Sequence, residues 1–255
     1  MSRYFGITQD PITQDFMIIM KYYESGDLTH YITRRFFELS WHDRLDRLYG
    51  IINSLESIHD VNIIHRDYHS GNVFFDDNVA ITGDLGISKS AVESSDDDNE
   101  IYGIIPYVAP EVLQGQKYTK ASDIYSFSMI MWELMTGRRP FWGRCHDTDL
   151  IIEICDGLRP PIVTNAPIGY VELMQECWHP DPNERPTATE ILPRTKNMAN
   201  LESKNPTEII QSSDIGPITI NNPGAIYRSR SLSTMIRSAL STRSLKSQSI
   251  LYFGK

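Results

Sequence analysis

The chain has 255 residues with a formal net charge of −9, and 40% hydrophobic against 22% charged residues is the composition of a globular protein with one substantial core and a tail. Capture of nucleic acid by clustered Lys and Arg is excluded as the main activity by that acidic balance. The longest early apolar run, Phe16 to Met20, is too short for a membrane span or a signal core, and Cys145, Cys155 and Cys177 show no CxxC pairing, which points to free thiols in a reducing, cytoplasmic setting.

Tyr4 to Thr8 and Phe16 to Met20 are short aromatic and aliphatic runs separated by a Pro- and Asp-bearing turn, and they predict a hairpin. The doubled Ile-Thr-Gln-Asp at 7–10 and 12–15 is too short to be a structural repeat. Ser40 is placed to cap a helix whose Leu45, Leu48, Ile51, Ile52, Leu55 and Ile58 follow the 3.6-residue period. That helix delivers the chain to His65-Arg66-Asp67-Tyr68-His69-Ser70-Gly71-Asn72. Two short strands are expected at Val73 to Phe75 and Val79 to Ile81, and Asp84-Leu85-Gly86 follows.

Ser88 to Glu100 is polar and acidic around Asp96-Asp97-Asp98 and predicts a mobile loop. Ala109-Pro110-Glu111 comes next. Ile124 to Met135 is apolar nearly all round, the pattern of a buried helix. Helices are also expected at Leu150 to Ile154, Val171 to Cys177 and Thr187 to Leu192, where the domain is expected to end. From Asn205 the chain is rich in Ser, Asn and Pro, and from Tyr227 on it carries six basic residues and no acidic one, which predicts a disordered tail.

The ordered set from His65 to Glu111, continued by Asp123-Ile124-Tyr125-Ser126-Phe127, Cys177-Trp178-His179-Pro180 and Arg185-Pro186, resembles eukaryotic protein kinases, most closely the tyrosine-kinase-like and related families. The resemblance covers about three quarters of the chain. It implies an α+β, protein-kinase-like fold: residual small-lobe strands at 1–20, the helical large lobe at 21–193 and a Ser-rich basic tail at 194–255. It also implies ATP and Mg²⁺ as cofactors and a protein as substrate or docking partner, with no nucleic acid and no membrane.

By this resemblance Asp67 orients or accepts the proton of the attacking hydroxyl, and Asn72, five residues on, and Asp84, twelve beyond that, are the magnesium ligands. Met20-Lys21-Tyr22-Tyr23 resembles the gatekeeper and hinge, with adenine held by the backbone of Lys21 and Tyr23. Asp27 either meets the ribose or caps a helix, and Phe74 either floors the adenine pocket or is a core aromatic. Arg66 is a phosphate partner for an activation loop whose candidate sites are Tyr102, Ser88, Ser94 and Ser95. Glu111 with Arg185, and Asp123 beneath His65, are expected supports.

The chain departs from the pattern in several places. No Gly-x-Gly-x-x-Gly loop, Val-Ala-Ile-Lys-like strand or partner glutamate stands upstream of Tyr4, so the expectation is a kinase domain truncated before the hinge. Leu85 replaces a usual Phe. His69 and Ile104 stand where serine/threonine kinases carry a Lys and a Thr that brace the catalytic Asp. Two functions remain open: ATP-dependent phosphorylation of protein Ser, Thr or Tyr hydroxyls, and a catalytically inactive, pseudokinase-like binding module.

Overall fold

The computed structural model describes residues 2–76, 79–91, 100–218 and 222–253, with side chains to residue 244. Strands β1 (Tyr4–Gln9) and β2 (Phe16–Met20) form an antiparallel hairpin, as the sequence predicts. Both of its faces meet solvent: Ile7, Phe16 and Ile18 on one and Met17 and Ile19 on the other are all exposed, as is Phe5. The turn between the strands is held by the Asp10 carboxylate, which accepts from the N–H groups of Ile12 and Thr13.

Helix α1 (Leu28–Arg35) is capped by Asp27, and α2 (Trp41–Asp60) opens with a reciprocal capping box between Ser40 and Asp43. The predicted apolar stripe of α2 is fully buried. Helix α2 is followed by β3 (Ile63–Ile64), the His65–Asn72 loop, β4 (Val73–Asp76) and β5 (Val79–Thr82). Strand β4 pairs with β5, and β3 pairs with β6 (Lys89–Ser90). Each is a two-stranded ribbon, so the molecule is helix-rich with small sheets, an α+β architecture.

After β7 (Tyr102–Gly103) come α3 (Pro110–Leu113) and α4 (Lys120–Thr136). Every residue of α4 from Ser122 to Thr136 is buried, which makes it the central post of the core. Gly137 ends it at φ 74°, where a Cβ would lie 2.6 Å from the Phe36 ring, so both the left-handed turn and the close approach require glycine. Helices α5 (Thr148–Cys155), α6 (Tyr170–Cys177) and α7 (Ala188–Glu202) complete the lobe. Of the cysteines, Cys177 is buried, Cys155 half-buried and Cys145 exposed, all as free thiols.

Two expectations about the C-terminal part need correction. Helix α7 does not stop near Leu192: it runs through Pro193 to Glu202, because Thr195, Met198 and Ala199 continue its buried face against α2. The 193/194 boundary therefore falls inside a helix. Nor is the tail uniformly unstructured. Residues 222–227 pack along the segment after α4, β8 (Arg230–Ser231) pairs antiparallel with β7, and α8 (Ser233–Phe253) lies on α5. Leu232, Ile236 and Ala239 are buried, an apolar spacing that the surrounding serines mask in the overall composition. The mobile loop expected at Ser88 to Glu100 lies mostly outside the described residues, as do Ser94 and Ser95.

Candidate active site

The loop between β3 and β4 is fixed from below by one carboxylate. Asp123, on the first turn of α4 and buried, accepts the backbone N–H of His65 on Oδ2 at 2.8 Å and that of Arg66 on Oδ1 at 3.0 Å. His59 Nε2 lies 2.9 Å from the same Oδ2. Arg66 takes φ 72°, a left-handed conformation that costs energy in a non-glycine residue and is over-determined here by those bonds. The buried His65 ring meets the Gly83 carbonyl through Nε2 at 3.0 Å. Burial pushes its pKa down despite the opposing pull of Asp123. A neutral ring thus ties the loop to the strand end that leads into Asp84.

Asp67 lies at the tip of this loop. Burial raises its carboxyl, but His69 and the Ser229 hydroxyl outweigh that and hold it below the usual range. His69 Nε2 is 3.6 Å from Asp67 Oδ2. Because Gly71 N–H donates to His69 Nδ1 at 3.1 Å, the proton of a neutral His69 sits on Nε2, facing Asp67. Asn72 Nδ2 donates to the Asp67 carbonyl at 2.9 Å, which commits the amide nitrogen and leaves its oxygen as the donor for a cation. Asp84 is exposed, with φ 54° and an Oδ1 that accepts from Gly86 N–H at 3.3 Å. Gly83 N–H donates to the Asn72 carbonyl at 2.9 Å, which brings the segment of Asp84 beside Asn72, and an amide oxygen with an exposed carboxylate is the kind of hard donor pair that Mg²⁺ takes.

The residues of the expected hinge follow directly on β2. Tyr23 is buried and stacks on Phe74 with ring centroids 5.2 Å apart and planes 20° from parallel. A Cβ on Gly83 would lie 2.9 Å from Phe74 and 3.6 Å from Met20 Cε, so Met20, Phe74 and the residue before Asp84 converge. Lys21 pairs with Asp76 at 2.5 Å at the far side of β4. Asp27 realises the capping alternative: Oδ1 accepts from His30 N–H at 2.8 Å and meets His30 Nδ1 at 2.9 Å. It also bridges to Phe74 through the backbone, next to that ring.

A supporting cluster around Glu133 is not legible in the sequence motifs. Glu133, deep in α4, accepts from Tyr107 OH at 2.7 Å and from Ser70 Oγ at 2.9 Å, and Thr29 Oγ1 lies 2.8 Å from that serine oxygen. Burial pushes the Glu133 carboxyl up to about 7 against the lowering effect of those two hydroxyls. The available signal was a carboxylate inside an apolar helix, which demands partners. The expected Glu111–Arg185 pair is present, buried and bidentate, at 2.7 Å through each nitrogen. Of the candidate modification sites, Tyr102 is exposed on β7, and Ser88 Oγ donates to the His65 carbonyl at 3.3 Å.

The His65–Asn72 loop braced by α4, the residues after β2 packed on Phe74, and Asp84 beside Asn72 thus come together on one side of the lobe. Residues 2–195 match the family model described as protein tyrosine and serine/threonine kinase, and the chain belongs to that family. It is 33% identical over 184 residues to ephrin type-A receptor 7 of Gallus gallus, a match covering 69% of this chain and 18% of that protein. A probable serine/threonine-protein kinase of Dictyostelium discoideum is 31% identical over 199 residues, covering 72% of this chain and 7% of the relative. Another from the same organism is 32% identical over 196 residues, 76% of this chain and 15% of its own length. The chain thus spans less than a fifth of each of these relatives. Among the described residues no helix is long and apolar enough to cross a membrane.

Proposed function

We propose that this chain is the catalytic large lobe of a protein phosphotransferase that moves the γ-phosphoryl group of ATP to a protein hydroxyl. The observation that carries the reading is the Asp67 carboxylate, held at the tip of a loop that Asp123 clamps from below, with the Asn72 amide turned by its bond to the Asp67 carbonyl. Such a carboxylate orients the acceptor hydroxyl and takes its proton, a role worth about 10²–10⁴-fold in rate. His69, with its Nε2 proton facing Asp67, partly fills the place of an ammonium.

Asn72 and Asp84 would hold Mg²⁺, which neutralises charge on the β- and γ-phosphates. The Lys21 and Tyr23 backbone groups would take the adenine edge over the Phe74 ring. Both His30 contacts of Asp27 use Oδ1, so its Oδ2 can take a ribose hydroxyl. The free thiols support a cytosolic setting. A second reading, docking without catalysis through the same face, is favoured by the cover that Ser229 places over Asp67.

The test is phosphoryl transfer from radiolabelled ATP to Ser, Thr and Tyr peptides, by this chain alone and joined to the small lobe of a related kinase. Transfer by the joined protein, lost in Asp67→Asn, is expected. A folded, inactive fusion would favour the docking reading.

A further inference from the structure

The tail does not merely lie on the lobe; it enters the site. Ser229 Oγ donates to Asp67 Oδ2 at 2.5 Å and lies 3.5 Å from His69 Nε2. Immediately after it, Arg230 and Ser231 pair with Gly103 and Tyr102, and Leu232 N–H donates to the Ile101 carbonyl at 2.7 Å. Gly103 is where this strand can come close: it takes φ 152°, and a Cβ there would lie 2.7 Å from Val108 and 3.9 Å from Asp67 Oδ1. With Ser229 in place, Asp67 exposes only 10% of its side chain, and the oxygen nearest His69 is taken by the serine hydroxyl.

The segment is anchored on both sides of that serine. On the N-terminal side Tyr227 OH donates to the Pro140 carbonyl at 2.9 Å, and the Arg139 guanidinium sits 4.6 Å from the Tyr227 ring centroid. On the C-terminal side Arg230 Nη2 donates to the His146 carbonyl at 2.8 Å. Leu232, Ile236 and Ala239 are buried on the α5 side, and Arg243 pairs with Asp156 at 2.7 Å. An extended strand added to a short edge, with side chains seated alternately, is a peptide-recognition mode in its own right.

We propose that residues 227–232 occupy the protein-substrate groove of their own chain, with Ser229 as the tethered acceptor hydroxyl and α8 as the clamp that keeps them there. This deepens the phosphotransferase reading and rests on it for the chemistry. In that step Ser229 Oγ attacks the γ-phosphorus of ATP. The new O–P bond forms as the bond from that phosphorus to the bridging oxygen breaks, ADP leaves with the electron pair, and the Ser229 proton passes to Asp67. The seat of the tail can be tested without that chemistry. A tethered segment faces any free peptide at an effective concentration in the millimolar range, so an unlinked copy binds weakly until the clamp is broken.

The experiment uses the full 255-residue chain, its Ile236→Asp variant, which removes a buried contact remote from Asp67, and Ser229→Ala. A fluorescein-labelled peptide copying residues 224–236 should bind Ile236→Asp at least tenfold more tightly than the parent chain. Amide exchange at Ile101 and Leu232 should accelerate at least tenfold in the variant while Ile124 to Met135 stays protected. In the parent chain joined to the small lobe of a related kinase and given Mg-ATP, phosphate should appear on Ser229 at a rate independent of protein concentration, and not when that joined protein carries Ser229→Ala. Equal peptide binding and equal exchange in parent and variant overturn the proposal. So does phosphate on an added peptide with none on Ser229. Phosphate on no hydroxyl, with binding and exchange as expected, counts instead against the phosphotransferase reading and leaves the groove assignment supported.

Discussion

The Asp123 carboxylate accepts the backbone N–H groups of His65 and Arg66 with its two oxygens, and so couples the buried α4 to the loop that carries Asp67. Removing the charge in Asp123→Ala leaves the buried His65 N–H and the half-buried Arg66 N–H without that partner, along with His59. Each orphaned buried donor costs about 1–3 kcal/mol. The variant should lose roughly 3–5 kcal/mol in urea unfolding, with the first added exchange at His65 and Arg66. Loss below 1 kcal/mol would show that the loop is held by other contacts.

Arg185 and Glu111 form the other buried ionic support, with Arg185 also donating to the His179 and Ala121 carbonyls. Breaking such a pair from one side strands a charge, at about 3–5 kcal/mol. Arg185→Ala should show that loss. The double variant Arg185→Met with Glu111→Leu should recover much of it, because two apolar groups of similar volume leave no uncompensated ion. A double variant no more stable than the single one would contradict the argument.

Glu133 gives a pH signature. Its folded-state pKa is raised to about 7 from an ordinary value of 4.5, so the folded protein binds the proton more tightly than the unfolded chain. Its contribution to stability is complete below the unfolded value and is lost as pH rises through 7. A shift of this size corresponds to roughly 3 kcal/mol. The groups facing it are Tyr107, Ser70, Arg139 and His69. Chemical denaturation across this range should show stability falling with pH in the parent and a flatter profile in Glu133→Gln. Parallel profiles would exclude Glu133 as the source.

The hairpin of β1 and β2 should be the least protected strand pair. A two-stranded ribbon with both faces in solvent has little packing to slow its opening. Its amides should exchange much faster than those of Ile124 to Met135. Equal protection would show that the exposed Phe5, Ile7, Phe16 and Ile18 are covered in solution.

Much of the lobe was legible because its signals are local. The α2 stripe, the Ser40 cap and the all-round apolar α4 follow from periodicity and capping signals, and the Glu111–Arg185 pair from the family resemblance. Contacts set only by the third dimension were not legible. Arg44 stands in α2 among polar neighbours, yet it is buried: its guanidinium lies 4.2 Å from the Phe36 ring centroid and donates to the Phe36 carbonyl at 2.7 Å. The structure of the tail is hidden in the sequence for a related reason. Three apolar residues at helical spacing are enough when a helix such as α5 offers a complementary face, and composition does not register that face. The link from Ser229 to Asp67 spans 162 positions, a distance at which no local pattern operates.

The central claim is that Asp67 is the proton acceptor for phosphoryl transfer, and Asp67→Asn tests it with almost no change in volume. The measurement is the rate of radiolabelled phosphate transfer from ATP by the fusion with a related small lobe, carrying Ile236→Asp to free the groove, with and without Asp67→Asn. A fall of about 10²–10⁴-fold, with the thermal midpoint nearly unchanged, is the expected result. Equal rates in the two proteins would contradict the account.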